Sequence, residues 1–274
     1  MRFKVLTAVV FLLFIRTACA VRIISLSPYL TESLILLGAE NELVGITSVS
    51  HKMFGLEKEV VGDTLNINIE KILSLKPDVI LVTPMNKIGR IQKLDELGIG
   101  IEYFPMEKTF DECCGSFLRL ARLVGKEEEA RRIIERSQKK LEAIKIMLKR
   151  TEIKRVFIEV GNAPLITAGG GCYLNEVIRY AGGRNAADNF GKGFFRIVRE
   201  KVLELNPDYI VIISANGKSS LKKWQSFPFL KAVSSNGLVV LNPDIFSRPN
   251  PVSFVEAVSL LARQIHLEGS FNEN

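Results

Sequence analysis

This 274-residue chain is written twice, and that duplication constrains its fold more than any other feature. Residues 67–84 read INIEKILSLKPDVILVTP and residues 197–214 read IVREKVLELNPDYIVIIS; aligned without a gap, they agree at eight of eighteen positions. A second pair reinforces the first. Tyr29-Leu-x-Glu32 with Gly38 and Asn41 matches Tyr173-Leu-x-Glu176 with Gly182 and Asn185. Spacings of 130 and 144 residues far exceed the about 20–50 of a solenoid unit, so the duplication predicts two related lobes. Length alone, at about 150 residues per domain, gives the same count.

Each lobe alternates strand and helix. In the first, a β-branched strand at residues 22–26 leads into a helix opened by Ser27-Pro28 and closed at Gly38. Strands at 43–47, 79–83 and 99–104 follow, with helices at 69–75, through Leu94 and at 110–124. In the second, strands at 155–159, 209–213 and 238–241 alternate with helices at 174–181, 200–205 and 252–266. Such alternation implies mostly parallel sheets covered on both faces. Between the lobes, residues 127–150 contain no Gly or Pro, and Ala130, Ile133, Ile134, Leu141, Ile144 and Leu148 form one helical stripe. That segment predicts a rod of about 36 Å. The fold expected is α/β: an N-terminal lobe (21–125), a rigid connecting helix (126–150), a C-terminal lobe (151–274) and a ligand cleft between the lobes. A continuous helix resists the large swings a Gly/Ser linker would allow.

The first twenty residues stand apart. Met-Arg-Phe-Lys, an apolar run over residues 5–15 and small residues at Ala18 and Ala20 form a secretory signal, with cleavage expected after Ala20. Eleven residues span about 16 Å as a helix, too short for a bilayer core of about 30 Å. Cys19 offers a lipid-anchored alternative, disfavoured by Arg16, which stands where a lipid-attachment signal takes Leu or a similar residue. The whole chain carries 37 basic and 30 acidic residues, net +7. Without Arg2, Lys4 and Arg16 this falls to +4, and no basic run interleaved with aromatics remains, so nucleic-acid binding loses its support. Cys113, Cys114 and Cys172 are an odd set in which neighbours bridge only with strain, which favours buried thiols over a disulfide framework.

Catalytic signatures are sparse. His51 and His266 are the only histidines, and neither belongs to a metal-ligand spacing. Gly169-Gly170-Gly171 precedes a helix but fails Rossmann spacing because Leu occupies position 174; a tight turn is the favoured reading over an anion cradle. No metal site and no reaction are predicted. Glu70 and Glu200 are more informative, for both occupy the same repeat position at the start of a short helix. A carboxylate there gains about 0.3–1 kcal/mol from the helix dipole. Two equivalent carboxylates also suit docking onto a two-fold symmetric partner with basic pockets, and the two roles are compatible.

The segments RIISLSPYLTESLILLGAENELVGITSVS, NIEKILSLKPDVILV and PLITAGGGCYLNEVIRYAGGRNAAD resemble the substrate-binding proteins of ABC importers, within them the cobalamin and ferric-chelate binding class. The likeness runs across residues 21–266 and is nearest to the cobalamin-binding members. It implies an exported, monomeric protein with no cofactor of its own. Such a protein captures a small-molecule metal chelate and delivers it to a permease dimer with its ATPase subunits. In that family the paired glutamates, here Glu70 and Glu200, meet arginines on the two permease subunits. The ligand lies between the lobes, which implies roles for Ser27, Pro28, Tyr29, Ser50 and His51 from the first lobe. From the second come Phe194, Phe195, Arg196, Phe246 and Arg248. Aromatics offer flat apolar area to a macrocycle, and arginines donate to anionic oxygens. A corrinoid is the ligand expected. Haem, with Tyr29 or His51 as axial ligand, and ferric siderophores are the alternatives within the class. A chelatase-like enzyme on the same scaffold is the alternative outside it. One departure from the cobalamin pattern is plain: the large aromatic six residues before each glutamate is Phe194 in the second lobe but Thr64 in the first.

Overall fold

The duplicated sequence folds as two sheets whose helices share one apolar core. The computed structural model describes residues 21–266. The predicted signal, its cleavage point after Ala20 and Cys19 lie outside the described residues.

The first lobe runs β1 (Ile23–Ser25), α1 (Pro28–Leu36), β2 (Leu43–Ile46), α2 (Ser48–Phe54), β3 (Glu59–Val60), α3 (Ile69–Ser74), β4 (Val79–Val82), α4 (Ile88–Glu96), β5 (Gly100–Tyr103) and α5 (Phe110–Leu123). Its five strands are all parallel, in the order β3-β2-β1-β4-β5. Ile23, Ile24, Ile80 and Leu81 are fully buried, as strands covered on both faces require. The strand order reverses between β1 and β4, the place where open α/β sheets hold ligands beyond the carboxyl ends of their strands. Residues 48–54, outside the helices predicted from sequence, form α2. Thr47 caps it by accepting from Ser50 N, and Gly55 closes it in the left-handed conformation (φ 64°).

The connecting helix, α6 (Glu127–Met147), ends in a 3₁₀ turn at Leu148–Arg150. Its inward stripe of Ala130, Ile133, Ile134, Ser137 and Leu141 is buried, and Glu127, Glu128 and Glu129 complement the dipole at its start.

The second lobe continues with β6 (Lys154–Asn162), β7 (Leu165–Ala168), α7 (Tyr173–Tyr180), β8 (Gly183–Asn185), β9 (Phe194–Arg196), α8 (Arg199–Leu205), β10 (Tyr209–Ile213), α9 (Lys218–Gln225), α10 (Lys231–Ser234), β11 (Leu238–Leu241), α11 (Pro243–Phe246) and α12 (Pro251–His266). The sheet order is β11-β10-β6-β7-β9, with β8 also on β6. Here the sheet is mixed. β7 runs antiparallel to both β6 and β9, because the two residues between Asn162 and Leu165 are too few for a helical crossover.

The lobes are not independent. Phe110 at the start of α5 and Phe254 in α12 lie 144 residues apart, the register of the tyrosine repeat, and their rings meet at 5.1 Å. Tyr173 and Tyr180 close edge-on against Phe254 at 5.5 and 5.4 Å. These rings, Leu30 and Leu34 of α1, Val177 and Ile178 of α7 and the α6 stripe make one continuous core. A polar tie crosses the same boundary. Glu32 of α1 binds the Arg248 guanidinium and accepts from Asn250 Nδ2 (2.6 Å) and Ser253 Oγ (2.9 Å), placing a first-lobe carboxylate on the start of a second-lobe helix. Glu176, its repeat mate, pairs within its own helix with Arg179 at 2.7 Å.

Tyr29 is buried, and its hydroxyl donates to Glu107 Oε1 at 3.1 Å. Burial pushes the Glu107 carboxyl above the usual carboxylate range, and the Tyr29 hydrogen bond only partly offsets this.

Two outcomes follow. Phe254→Ala should cost about 3–5 kcal/mol and still give one cooperative unfolding transition by calorimetry; two separate transitions would mean that the lobes do not share their core. Because the folded state holds the Glu107 proton more tightly than the unfolded chain, stability should fall as pH rises from about 4.3 through the folded-state value. Glu107→Gln, measured by denaturant titration across pH, should flatten that fall.

Candidate functional site

Buried polar ties hold the carboxyl-end loops of the first lobe. Thr47 Oγ1 and Ser50 Oγ lie 2.9 Å apart, and Thr31 Oγ1 reaches Ser50 Oγ (3.2 Å) and Ser25 Oγ (2.9 Å). The Ser27 carbonyl accepts from Thr31 N at 3.0 Å. Ser27 and Ser50 therefore brace the ends of β1 and β2 from inside, and the Ser27 side chain makes no helix-cap bond; Pro28, half-buried, starts α1. Asn86 completes the frame. Its Oδ1 accepts from Thr83 N (2.8 Å), and its Nδ2 donates to the carbonyls of Leu26 (3.3 Å) and Thr64 (2.9 Å), joining the loops after β1, β3 and β4. Leu65 and Met85 stand about half exposed on this frame, and His51 is exposed with Nδ1 2.9 Å from the Leu56 carbonyl.

In the second lobe a glycine-packed loop presents the site. Gly169 N donates to Gly193 O (2.8 Å) and Gly170 N to Gly191 O (2.9 Å), so these amides are spent on backbone and cradle no anion. A Cβ on Gly169 would fall 2.1 Å from the Gly191 carbonyl oxygen, which explains the glycine run as close packing. From Phe194 onward exposure alternates strictly: Phe194, Arg196, Val198 and Glu200 face out, while Phe195, Ile197 and Arg199 turn in. Phe195 packs against the cluster around Trp224. Residues 64, 66, 68 and 70 occupy the same repeat places in the first lobe, as Thr, Asn, Asn and Glu.

The sequence-predicted residues thus divide. Phe194, Arg196 and His51 are exposed, and Glu70 and Glu200 stand exposed in the first turns of α3 and α8. Tyr29, Ser50 and Phe246 are buried in supporting positions, Phe246 within the shared core. The Arg248 donors go to Glu32 and to the Asp244 carbonyl (2.7 Å). Sequence reasoning missed Glu32, Asn86 and Glu107, single polar residues whose partners are distant along the chain. Among the described residues no group of three or more His, Cys, Asp or Glu is placed to hold a metal ion. A groove of about 580 Å³ between the end of α1 and the start of α6 is lined by Glu127, Glu128 and Glu129 and contains no aromatic ring. It lies away from the strand carboxyl ends and suits a flat apolar ligand poorly.

Known proteins are similar to this chain in sequence and in fold. A vitamin B12-binding protein of Vibrio cholerae is 30% identical over 235 residues, covering 85% of this chain and 84% of its own. YvrC of Bacillus subtilis, an uncharacterized ABC transporter substrate-binding lipoprotein, is 29% identical over 253 residues, 89% of this chain and 80% of its own. The crystal structure of the periplasmic vitamin B12 binding protein BtuF of Vibrio cholerae superposes with a TM-score of 0.76 at 29% identity, covering 89% of this chain and 96% of that one. Residues 23–244 match the family described as periplasmic binding protein, and the chain belongs to that family.

Proposed function

We propose that this chain is the extracytoplasmic substrate-binding protein of an ABC importer, capturing a corrinoid between its lobes and handing it to the permease. One observation carries the reading: exposed glutamates stand at matched places in the two lobes, Glu70 and Glu200, on a body made stiff by α6 and the shared core. A two-fold permease with one basic pocket per subunit fits that pair. The carboxylates steer and orient the encounter; the ligand is held elsewhere.

The corrinoid assignment is supported by relatives named for vitamin B12 and by the half-exposed Phe194, which offers flat area to a macrocycle. Arg196, two residues on and on the same face, donates to anionic or amide oxygens at the ligand's edge. On the first lobe, half-exposed Leu65 and Met85 supply aliphatic and thioether surface. The protein binds and releases; no reaction is assigned to it.

The test has two arms. The chain without residues 1–20, titrated with cobalamin, haem and a ferric siderophore by absorption spectroscopy, should bind cobalamin; haem binding with no cobalamin response would move the ligand class. Glu70→Ala combined with Glu200→Ala should abolish cobalamin transport and leave cobalamin affinity within about twofold, since the sites are separate. Loss of cobalamin affinity in that double variant would contradict the docking role.

A further inference from the structure

The two glutamates occupy equivalent places but are held by different means. In the first lobe Asn68 caps α3, its Oδ1 accepting from Lys71 N at 2.9 Å, two residues from Glu70. In the second lobe Val198 occupies the capping position and offers no side-chain acceptor. A seven-residue helix with an uncapped start holds a side chain's direction poorly by itself.

Behind α8 lies a buried stack instead. Arg199, adjacent to Glu200, turns inward, and its guanidinium carbon lies 5.0 Å from the centre of the Trp224 ring. Trp224 is fully buried, and its indole N–H donates to Glu159 Oε2 at 2.6 Å. Glu159 is itself buried in β6, and Phe157 from the same strand meets the indole edge-on at 6.2 Å. The rigid sheet thus fixes the indole, the indole fixes the guanidinium, and the guanidinium fixes the first turn of α8. The arrangement carries a cost: among the described residues the buried Arg199 Nε has no hydrogen-bond acceptor. Stability alone would favour an aliphatic residue there, because an unpaired buried donor opposes folding. The guanidinium instead supplies a planar, directional contact that an aliphatic side chain lacks.

We propose that Arg199, Trp224 and Glu159 are positioning residues that set the direction of Glu200 toward a basic pocket on the permease. The proposal rests on the reading of Glu200 as a docking residue. It makes the two docking points unequal: the first depends on a local cap, the second on a buried stack anchored in the sheet.

A double-mutant cycle tests it. The affinity of the signal-free protein for its permease–ATPase complex in nanodiscs is measured for Glu200→Ala, Arg199→Met, Arg199→Lys and the Arg199→Met/Glu200→Ala pair, with cobalamin affinity and melting temperature recorded for each. Glu200→Ala and Arg199→Met should each weaken docking at least about tenfold, and the pair should be no weaker than Glu200→Ala alone. Arg199→Lys, which keeps a cation but loses the planar stack on the indole, should recover only part of the loss, and cobalamin affinity should not change. Multiplicative losses in the pair would show that Arg199 meets the permease directly and would overturn the proposal. Full docking by Arg199→Met beside a defective Glu200→Ala would overturn it while sparing the docking role; full docking by Glu200→Ala would remove both. Should Arg199→Met fail to fold, Trp224→Phe, which keeps a ring but drops the tether to Glu159, takes its place with the same expected non-additivity.

Discussion

The contact of Phe110 with Phe254 joins the lobes, and the rest of the structure depends on it. These residues lie one repeat apart, on helices that face each other across the lobe boundary, and Tyr173, Tyr180 and the buried stripe of α6 pack around them. Without that contact each lobe would hold a helix layer with one apolar face unburied. Large rings at the boundary bury much area with little side-chain entropy to lose, so the junction behaves as core and not as a hinge. The Glu32 tie to Arg248, Asn250 and Ser253 adds direction to an otherwise non-directional contact.

A junction of this kind determines how the proposed binding protein would work. Two glutamates are useful to a two-fold partner only if the span between them is fixed. A flexible linker would spread that span and turn the second contact into an entropy cost; α6 and the shared core remove the cost in advance. Under the proposed function, ligand capture would rely on surfaces already in place, with side-chain adjustment at exposed residues such as Phe194 and Arg196 in place of wide lobe closure.

Much of this was legible in the sequence because it is periodic. The duplicated segments announced the lobes and the Gly- and Pro-free stripe announced α6; the outward–inward alternation from Phe194 to Glu200 did not show, because both of its faces carry apolar and charged residues alike. What escaped has no local signature. Asn86 ties to Thr64, 22 residues away, and Arg248 to Glu32, 216 residues away; nothing around either residue records its partner. Tyr29, Ser50 and Phe246 follow strand ends, which places them near a crevice, but loop position does not determine whether a side chain faces in or out. The hairpin that turns β7 back on β6 was missed because a two-residue connection was read through as a simple α/β alternation.

The stiffness of the lobe pair is best measured by pulsed electron paramagnetic resonance on the signal-free chain, with spin labels on cysteines introduced at the exposed positions Lys93 and Lys222. Labelling should favour those sites, since Cys113, Cys114 and Cys172 are buried and burial raises the Cys114 thiol to about 12. Saturating cobalamin should move a single narrow interlobe distance by no more than about 2–3 Å. A broad ligand-free distribution, or a shift of many ångströms, would contradict a junction built as core.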